Sequence, residues 1–208
     1  MTMIAIIDYG VGNLRSVEKA FAYLGYSAKV TSVPREVLDA SRVVLPGVGA
    51  FGKSMEHLEK AGMIPVVRRV IESGRPFLGI CLGLQLLFEE SSELFSGQEC
   101  SHKGLGIFPG KVLRFPSSEL KVPQIGWNQI NKCKENPVID GLADGSFVYF
   151  VHSYYVKPKD PGIILTQTNY GIDYCSGISS GNVSAFQFHP EKSSQVGLKI
   201  LKNFAELK

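Results

Sequence analysis

The sequence predicts an α/β fold: a mostly parallel central sheet covered by helices on both faces, with antiparallel strands added from the C-terminal half. Three observations carry this. From Met3 to Glu90, short apolar runs alternate with stretches of helical periodicity, the rhythm of consecutive βα units. Those runs are continuously apolar, as strands buried on both faces are. After Ser91 the texture changes to short runs of Val, Phe, Tyr and Ile separated by Gly, Pro and Asn. At 208 residues and 44% hydrophobic content the chain can bury one substantial core, so a single domain over residues 1–208 is expected.

The elements follow in order. Met3 to Asp8 is a short apolar run ending in a turn at Tyr9-Gly10, a buried strand. Asn13 can cap the next segment, where Val17, Phe21 and Leu24 recur at helical spacing and Gly25 stops the helix. Ala28 to Thr31 is a second strand, and Pro34 suits the first residue of a short helix. Arg42 to Leu45 is a third strand, interrupted at once by Pro46-Gly47-Val48-Gly49. A helical region then runs to about Ser73, broken near Gly62-Pro65 and closed by Gly74. Phe77 to Ile80 is a fourth strand and Leu82 to Glu90 reads as a helix. Further strands are expected at Lys111–Phe115, Phe147–Val151, Ile163–Thr168 and Val183–Phe188. From Ser193 to Leu207, Val196, Ile200 and Phe204 line one face of a closing amphipathic helix.

Composition removes several function classes. The net charge is +3, from 22 basic and 19 acidic residues, too balanced for a nucleic-acid footprint. No Lys/Arg run marks a membrane surface, and the nearly uncharged stretch from Pro76 to Phe88 is too short to span a bilayer. The N-terminus enters a strand without a basic leader and cleavage site, so a cytoplasmic location is expected. Cys81, Cys100, Cys133 and Cys175 lie far apart and form no CxxC pair, which fits reduced thiols. No His/Cys/carboxylate set has metal-ligand spacing. Gly10-Val11-Gly12-Asn13 is half of a dinucleotide loop but lacks the third glycine. No metal or cofactor is expected.

The chemistry concentrates at Cys81, within Gly79-Ile80-Cys81-Leu82-Gly83 at a strand-to-helix junction. A nucleophile on such a sharp turn projects above the sheet, where flanking Cβ atoms would crowd it. The helix N-terminus favours thiolate over thiol, and the Leu82 backbone N–H points toward the same space. A buried cysteine is ordinarily only a small hydrophobe. Yet at this glycine content, glycine at both ±2 positions arises by chance for roughly one cysteine in a hundred.

The second signal is His189-Pro190-Glu191, at the end of another apolar strand. His189 would take and return a proton, and Glu191, two residues on past a rigid proline, could hold the ring. Pro46-Gly47-Val48-Gly49 is a turn by composition. Next to the nucleophile's strand, it would present N–H groups to an oxyanion beside Cys81. His57, in a charged helix, and His102, in a Ser/Gly-rich loop, read as surface residues. His152 ends an apolar strand, and two readings stand: it lines the site, or it is a satisfied core imidazole.

With Gly-Ile-Cys-Leu-Gly-Leu-Gln at 79–85 and His-Pro-Glu at 189–191, the chain resembles class I, triad-type glutamine amidotransferases over essentially its whole length. The resemblance implies their flavodoxin-like fold. Asp8 to Asn13, Pro46 to Phe51, Gly126-Trp127-Asn128, Phe150 to Tyr154 and Phe186 to Ser193 narrow it to the branch of glutaminase subunits serving imidazole glycerol phosphate synthases. Leu82, after the cysteine, sets it apart from the vitamin B6 glutaminases, which have alanine there. Ile125 stands where relatives often carry Met, a departure that touches nothing catalytic.

That resemblance implies the following roles. Cys81 attacks the side-chain amide of glutamine, with His189 and Glu191 completing the triad. Amides of Gly47, Val48, Gly49 and Leu82 surround the oxyanion, and Gln85, Ser153 and Tyr154 contact substrate. Ammonia passes to a (β/α)8-barrel cyclase, a separate polypeptide in a heterodimer. There it yields imidazole glycerol phosphate and an aminoimidazole carboxamide ribotide for histidine biosynthesis. Asn13, Trp127, Tyr149 and Lys192 would lie at the partner face. On residue chemistry alone, Lys192 reads equally well as a solvated lysine. Two rivals remain: a stand-alone cysteine hydrolase of γ-glutamyl substrates, for which Trp127 is merely core, and a non-catalytic flavodoxin-like binding module.

Overall fold

The computed structural model describes residues 3–93, 101–116 and 120–207; Met1, Thr2 and Cys100 lie outside them. In chain order the elements are β1 (Ile4–Ile7), α1 (Leu14–Tyr23), β2 (Ala28–Thr31), α2 (Pro34–Asp39), β3 (Arg42–Gly47), α3 (Phe51–Lys60), α4 (Met63–Glu72), β4 (Phe77–Cys81), α5 (Leu82–Leu86) and β5 (Phe88–Ser91). Then follow β6 (His102–Lys103), β7 (Phe108–Arg114), β8 (Gln124–Lys132), β9 (Ser146–His152), β10 (Tyr154–Pro158), β11 (Ile164–Asn169), β12 (Asp173–Ser180), β13 (Val183–Phe186) and α6 (Ser194–Glu206).

The central part of the sheet runs β2-β1-β3-β4-β13, with every neighbouring pair parallel. Its strands alternate between two cores. Ala5, Ile7, Val43, Leu45 and Phe77 pack under α2, α3 and α4, where Val37, Leu58, Val67 and Val70 are fully buried. Ile4, Ile6, Val44, Leu78 and Ile80 face the other way, onto Val17 and Phe21 of α1 and Ile200, Leu201 and Phe204 of α6. Both faces are covered, which is why these strands read as unbroken apolar runs.

β13 turns back into β12, and the sheet continues antiparallel through β12, β10 and β7. β11, β8 and β9 branch from β12, ending in the β8–β9 hairpin. The added strands are thus continuous with the central sheet, as expected.

Several boundaries and elements differ from expectation. The helix expected over Leu82–Glu90 stops at Leu86, and Phe88–Ser91 is a strand pairing with β6 and β7. The run Leu86-Leu87-Phe88 is apolar enough for either state, and pairing with Phe108 decides it. Strands β8, β10 and β12 were not expected at all. Asn13 is the N-cap residue of α1, but its Oδ1 accepts from the Ser16 hydroxyl at 2.9 Å rather than from a backbone N–H. Gly62, in the left-handed region at φ 66°, makes the expected break between α3 and α4.

Candidate active site

β4 ends on Cys81, whose backbone sits at φ 54°, ψ −109°, outside the regions a side chain ordinarily adopts. Such a conformation costs about 1–3 kcal/mol and persists only where its surroundings hold it. The flanking glycines show what does. A Cβ on Gly83 would lie 1.9 Å from the Leu45 carbonyl oxygen, and one on Gly79 would lie 2.9 Å from Ala185 Cβ. Strands β3 and β13 therefore close on both sides of the turn so tightly that only glycine fits. The following helix, α5, has five residues. Its dipole is correspondingly smaller than the longer helix expected from the sequence would provide.

The parallel register sets Gly47 directly beside Cys81 and Pro46 beside Ile80. The Tyr9 hydroxyl donates to the Pro46 carbonyl at 3.0 Å, and a Cβ on Gly47 would come within 2.7 Å of that hydroxyl oxygen. The loop at Val48-Gly49, with Gly49 at φ 97°, leaves β3 from this anchored point.

On the opposite flank, β13 pairs with β4 so that Phe186 lies beside Ile80. The chain then carries Gln187, Phe188 and His189 past Cys81. His189 is stapled to β9: its N–H donates to the Tyr149 carbonyl at 3.0 Å. The buried Ser193 hydroxyl donates to the His189 carbonyl at 2.6 Å and accepts from the Tyr149 N–H at 2.9 Å. Nδ1 of His189 donates to Glu191 Oε1 at 2.8 Å, with the two side chains only 2% and 1% exposed. Burial alone would lower the imidazole pKa. Interaction with the Cys81 and Glu191 side chains outweighs burial and takes it up to about 10. Nε2 of His189 is buried without a well-aligned hydrogen-bond partner.

Cys81 and His189 line one cavity of about 410 Å³, together with Val48, Gly49, Leu82 and Gln85. Ser153 and Tyr154 also line it. Gly47 and Glu191 stand behind it, on a narrow seam that also reaches Asn13. The fold thus brings all ten catalytic, oxyanion and substrate-contact candidates into or directly behind one site.

Gln187 and Glu93 were missed from the sequence. Gln187 Nε2 lies 3.7 Å from Cys81 Sγ, and Glu93 lines the cavity while its carboxylate accepts from the Phe51 N–H. Gln187 carried a signal, since it is a polar residue between two phenylalanines at a strand end. Glu93 carried none.

The two readings of His152 turn out to be compatible. It lines the cavity, and it is also a satisfied core ring: Nδ1 donates to the Tyr154 carbonyl at 2.8 Å, and Nε2 lies 3.2 Å from the Tyr174 hydroxyl. Burial, aided by the nearby His189 charge, drives its pKa down to about 4 despite the Tyr154 bond. His57 and His102 are half-buried rather than surface residues. His102 packs onto Gly52, where a Cβ would meet its ring at 2.7 Å.

Trp127 and Tyr149 pair across the β8–β9 hairpin with ring centroids 6.1 Å apart, and Lys192 Nζ lies 5.9 Å from the Tyr149 ring centre. Trp127 is 53% exposed, so it is not a core residue. Ile125 and Phe147, on the same hairpin, are also exposed. Among the described residues, Cys81, Cys133 and Cys175 are free thiols, and no helix is long and apolar enough to cross a membrane.

Comparison with known proteins agrees with this geometry. The family model "Glutamine amidotransferase class-I" matches residues 5–207. The chain is 53% identical to the imidazole glycerol phosphate synthase subunit HisH of Syntrophotalea carbinolica, covering 99% of this chain and all of that one. It is also 53% identical to the HisH subunit of Aquifex aeolicus, over 96% and 94% of the two chains. Among solved structures, one described as a glutamine amidotransferase superposes with a TM-score of 0.73 at 20% identity, covering 98% of this chain and 99% of that chain. PurLQS from Thermotoga maritima gives 0.73 at 17%, over 97% and 96%; at these identities the likeness speaks for the fold. The chain belongs to the class I glutamine amidotransferases and, within them, to the HisH group.

Proposed function

We propose that this chain is the glutaminase subunit of an imidazole glycerol phosphate synthase, hydrolysing glutamine to glutamate and handing ammonia to a cyclase subunit for histidine biosynthesis. The observation that carries this is the convergence of the strained Cys81 with a buried His189–Glu191 pair on one cavity. The Cys81 thiolate attacks the side-chain carbonyl carbon of glutamine. Amides of the Gly47-Val48-Gly49 loop and of Leu82 stabilise the oxyanion. His189, protonated from the thiol, gives its proton to the departing nitrogen, so ammonia leaves and a thioester remains. Water, deprotonated by His189, then cleaves the thioester, releasing glutamate and restoring the thiol. Glu191 orients the imidazole and offsets its charge. Gln85, Ser153 and Tyr154 border the glutamine, and the Glu93 carboxylate in the cavity lining suits its α-ammonium group.

The partner is a (β/α)8-barrel cyclase in a heterodimer. It docks on the exposed Trp127–Tyr149 face, with Lys192 and Asn13 beside the triad. An apolar, aromatic patch of this kind marks a protein interface. It counts against a stand-alone hydrolase, which has no use for it. The chain reads as one domain working in the cytoplasm. Glutamate and ammonia release, measured with and without the cyclase, tests the reading. Weak activity alone and a large rise with cyclase are expected. Strong turnover on γ-glutamyl peptides, indifferent to the cyclase, would sink it.

A further inference from the structure

Gln187 has no place in the mechanism above, yet its side chain meets the reacting sulfur. It is completely buried, and its Nε2 donates to Cys81 Sγ at 3.7 Å. The direction of that amide is dictated from a distance. The Tyr154 carbonyl can only accept, and Gln85 Nε2 donates to it at 3.0 Å. The same nitrogen donates to Gln187 Oε1 at 3.0 Å, so both of its hydrogens are committed. With Oε1 of Gln187 facing that donor, its NH2 group must turn to the sulfur. Reversing the Gln85 amide would set oxygen against oxygen at Tyr154 and Gln187, and reversing the Gln187 amide would set its NH2 against that of Gln85. Below the side chain, the Gln187 N–H is held by the Ser176 carbonyl at 2.9 Å.

We propose that Gln187 is a further catalytic residue, which donates a hydrogen bond to Cys81 Sγ and so favours the thiolate over the thiol. The inference rests on Cys81 being the nucleophile. A donor aimed at sulfur gains most when the sulfur carries full negative charge, before attack and again as the thioester breaks. Between two buried groups such a fixed dipole costs no reorganisation at the moment of reaction. With α5 only five residues long, this donor supplies support that a helix dipole would otherwise provide. It also leaves Gln85 Oε1 as the free end of that side chain, available to a donor on the substrate.

The test is the pH dependence of Cys81 alkylation by iodoacetamide in the full chain, followed by mass spectrometry of the Cys81 peptide. In Gln187→Met the half-maximal rate is expected about one pH unit higher, equivalent to a tenfold smaller thiolate fraction at a given pH. Gln187→Glu, which sets a carboxylate against the sulfur, is expected to shift it further. An unchanged profile in a folded Gln187→Met variant overturns the inference. Should that variant not fold, Gln85→Leu removes the donor that fixes the Gln187 amide while leaving Gln187 in place. An upward shift there supports the inference and a wild-type profile overturns it. Absence of pH-dependent alkylation at Cys81 in the wild type would instead sink the nucleophile assignment.

Discussion

His189 and His152 are buried imidazoles near one another, yet their surroundings push them in opposite directions. Next to Glu191 and Cys81, His189 holds its proton up to about pH 10, whereas burial keeps His152 neutral down to about pH 4. Linkage gives the sign for each. The stability tied to protonated His189 is fully present below its ordinary value of 6.5 and is lost as pH rises from there to about 10. For His152 the unfolded chain takes up a proton that the native one refuses, so stability is lost as pH falls from 6.5 toward about 4. Thermal melts should therefore peak near neutrality, and Glu191→Gln should flatten the alkaline limb. A melting temperature that climbs from pH 7 to 10 would contradict the pairing. Residues of this kind were unequally legible. Cys81, His189 and Glu191 lie in two short motifs whose local chemistry is visible in the chain. Gln187 and Glu93 gain meaning only when folding carries them to the sulfur or to the cavity wall.

The elements around the site are fitted to one another by close approach, and glycine substitutions measure the fit. Gly83→Ala would drive a methyl into the Leu45 carbonyl, and Gly197→Ala into the Pro190 carbonyl at 1.8 Å. Each should destabilise the protein by roughly 3 kcal/mol or more in urea unfolding. Gly74 has a left-handed φ of 77° but open space around it, so Gly74→Ala should cost only about 1 kcal/mol. Ser193 joins α6 and β9 to the His189 carbonyl with a buried hydroxyl. Ser193→Ala orphans the Tyr149 N–H and should cost about 1–3 kcal/mol while lowering kcat. The parallel strands were legible because burial on both faces demands continuous apolar runs. β12 was not, because it buries Ser176, Gly177 and Ser179, with Thr166 and Ser176 satisfying each other's hydroxyls at 3.0 Å. β8 escaped notice because Ile125 and Trp127 point outward, the reverse of the usual pattern.

At the scale of the molecule, the parallel half supplies Cys81 and the antiparallel half supplies the exposed Trp127–Tyr149 face. The hairpin meets the triad through β9. Trp127→Ala should weaken cyclase binding by about 2 kcal/mol, some thirtyfold, as titration calorimetry would show. Because Trp127 is half exposed, the melting temperature should barely move. Unchanged affinity would remove this face from the interface. Tyr149 carries the larger consequence. Its ring faces outward toward Trp127 and Lys192, while its peptide groups hold His189 and Ser193. The wall between visitor and chemistry is one polypeptide thick. On the proposed function, choice of companion and speed of reaction are therefore expected to change together. Under the proposed docking, resurfacing β9 to recruit a different cyclase is expected to retune the glutaminase in the same stroke, because the peptide groups of Tyr149 hold His189 and Ser193.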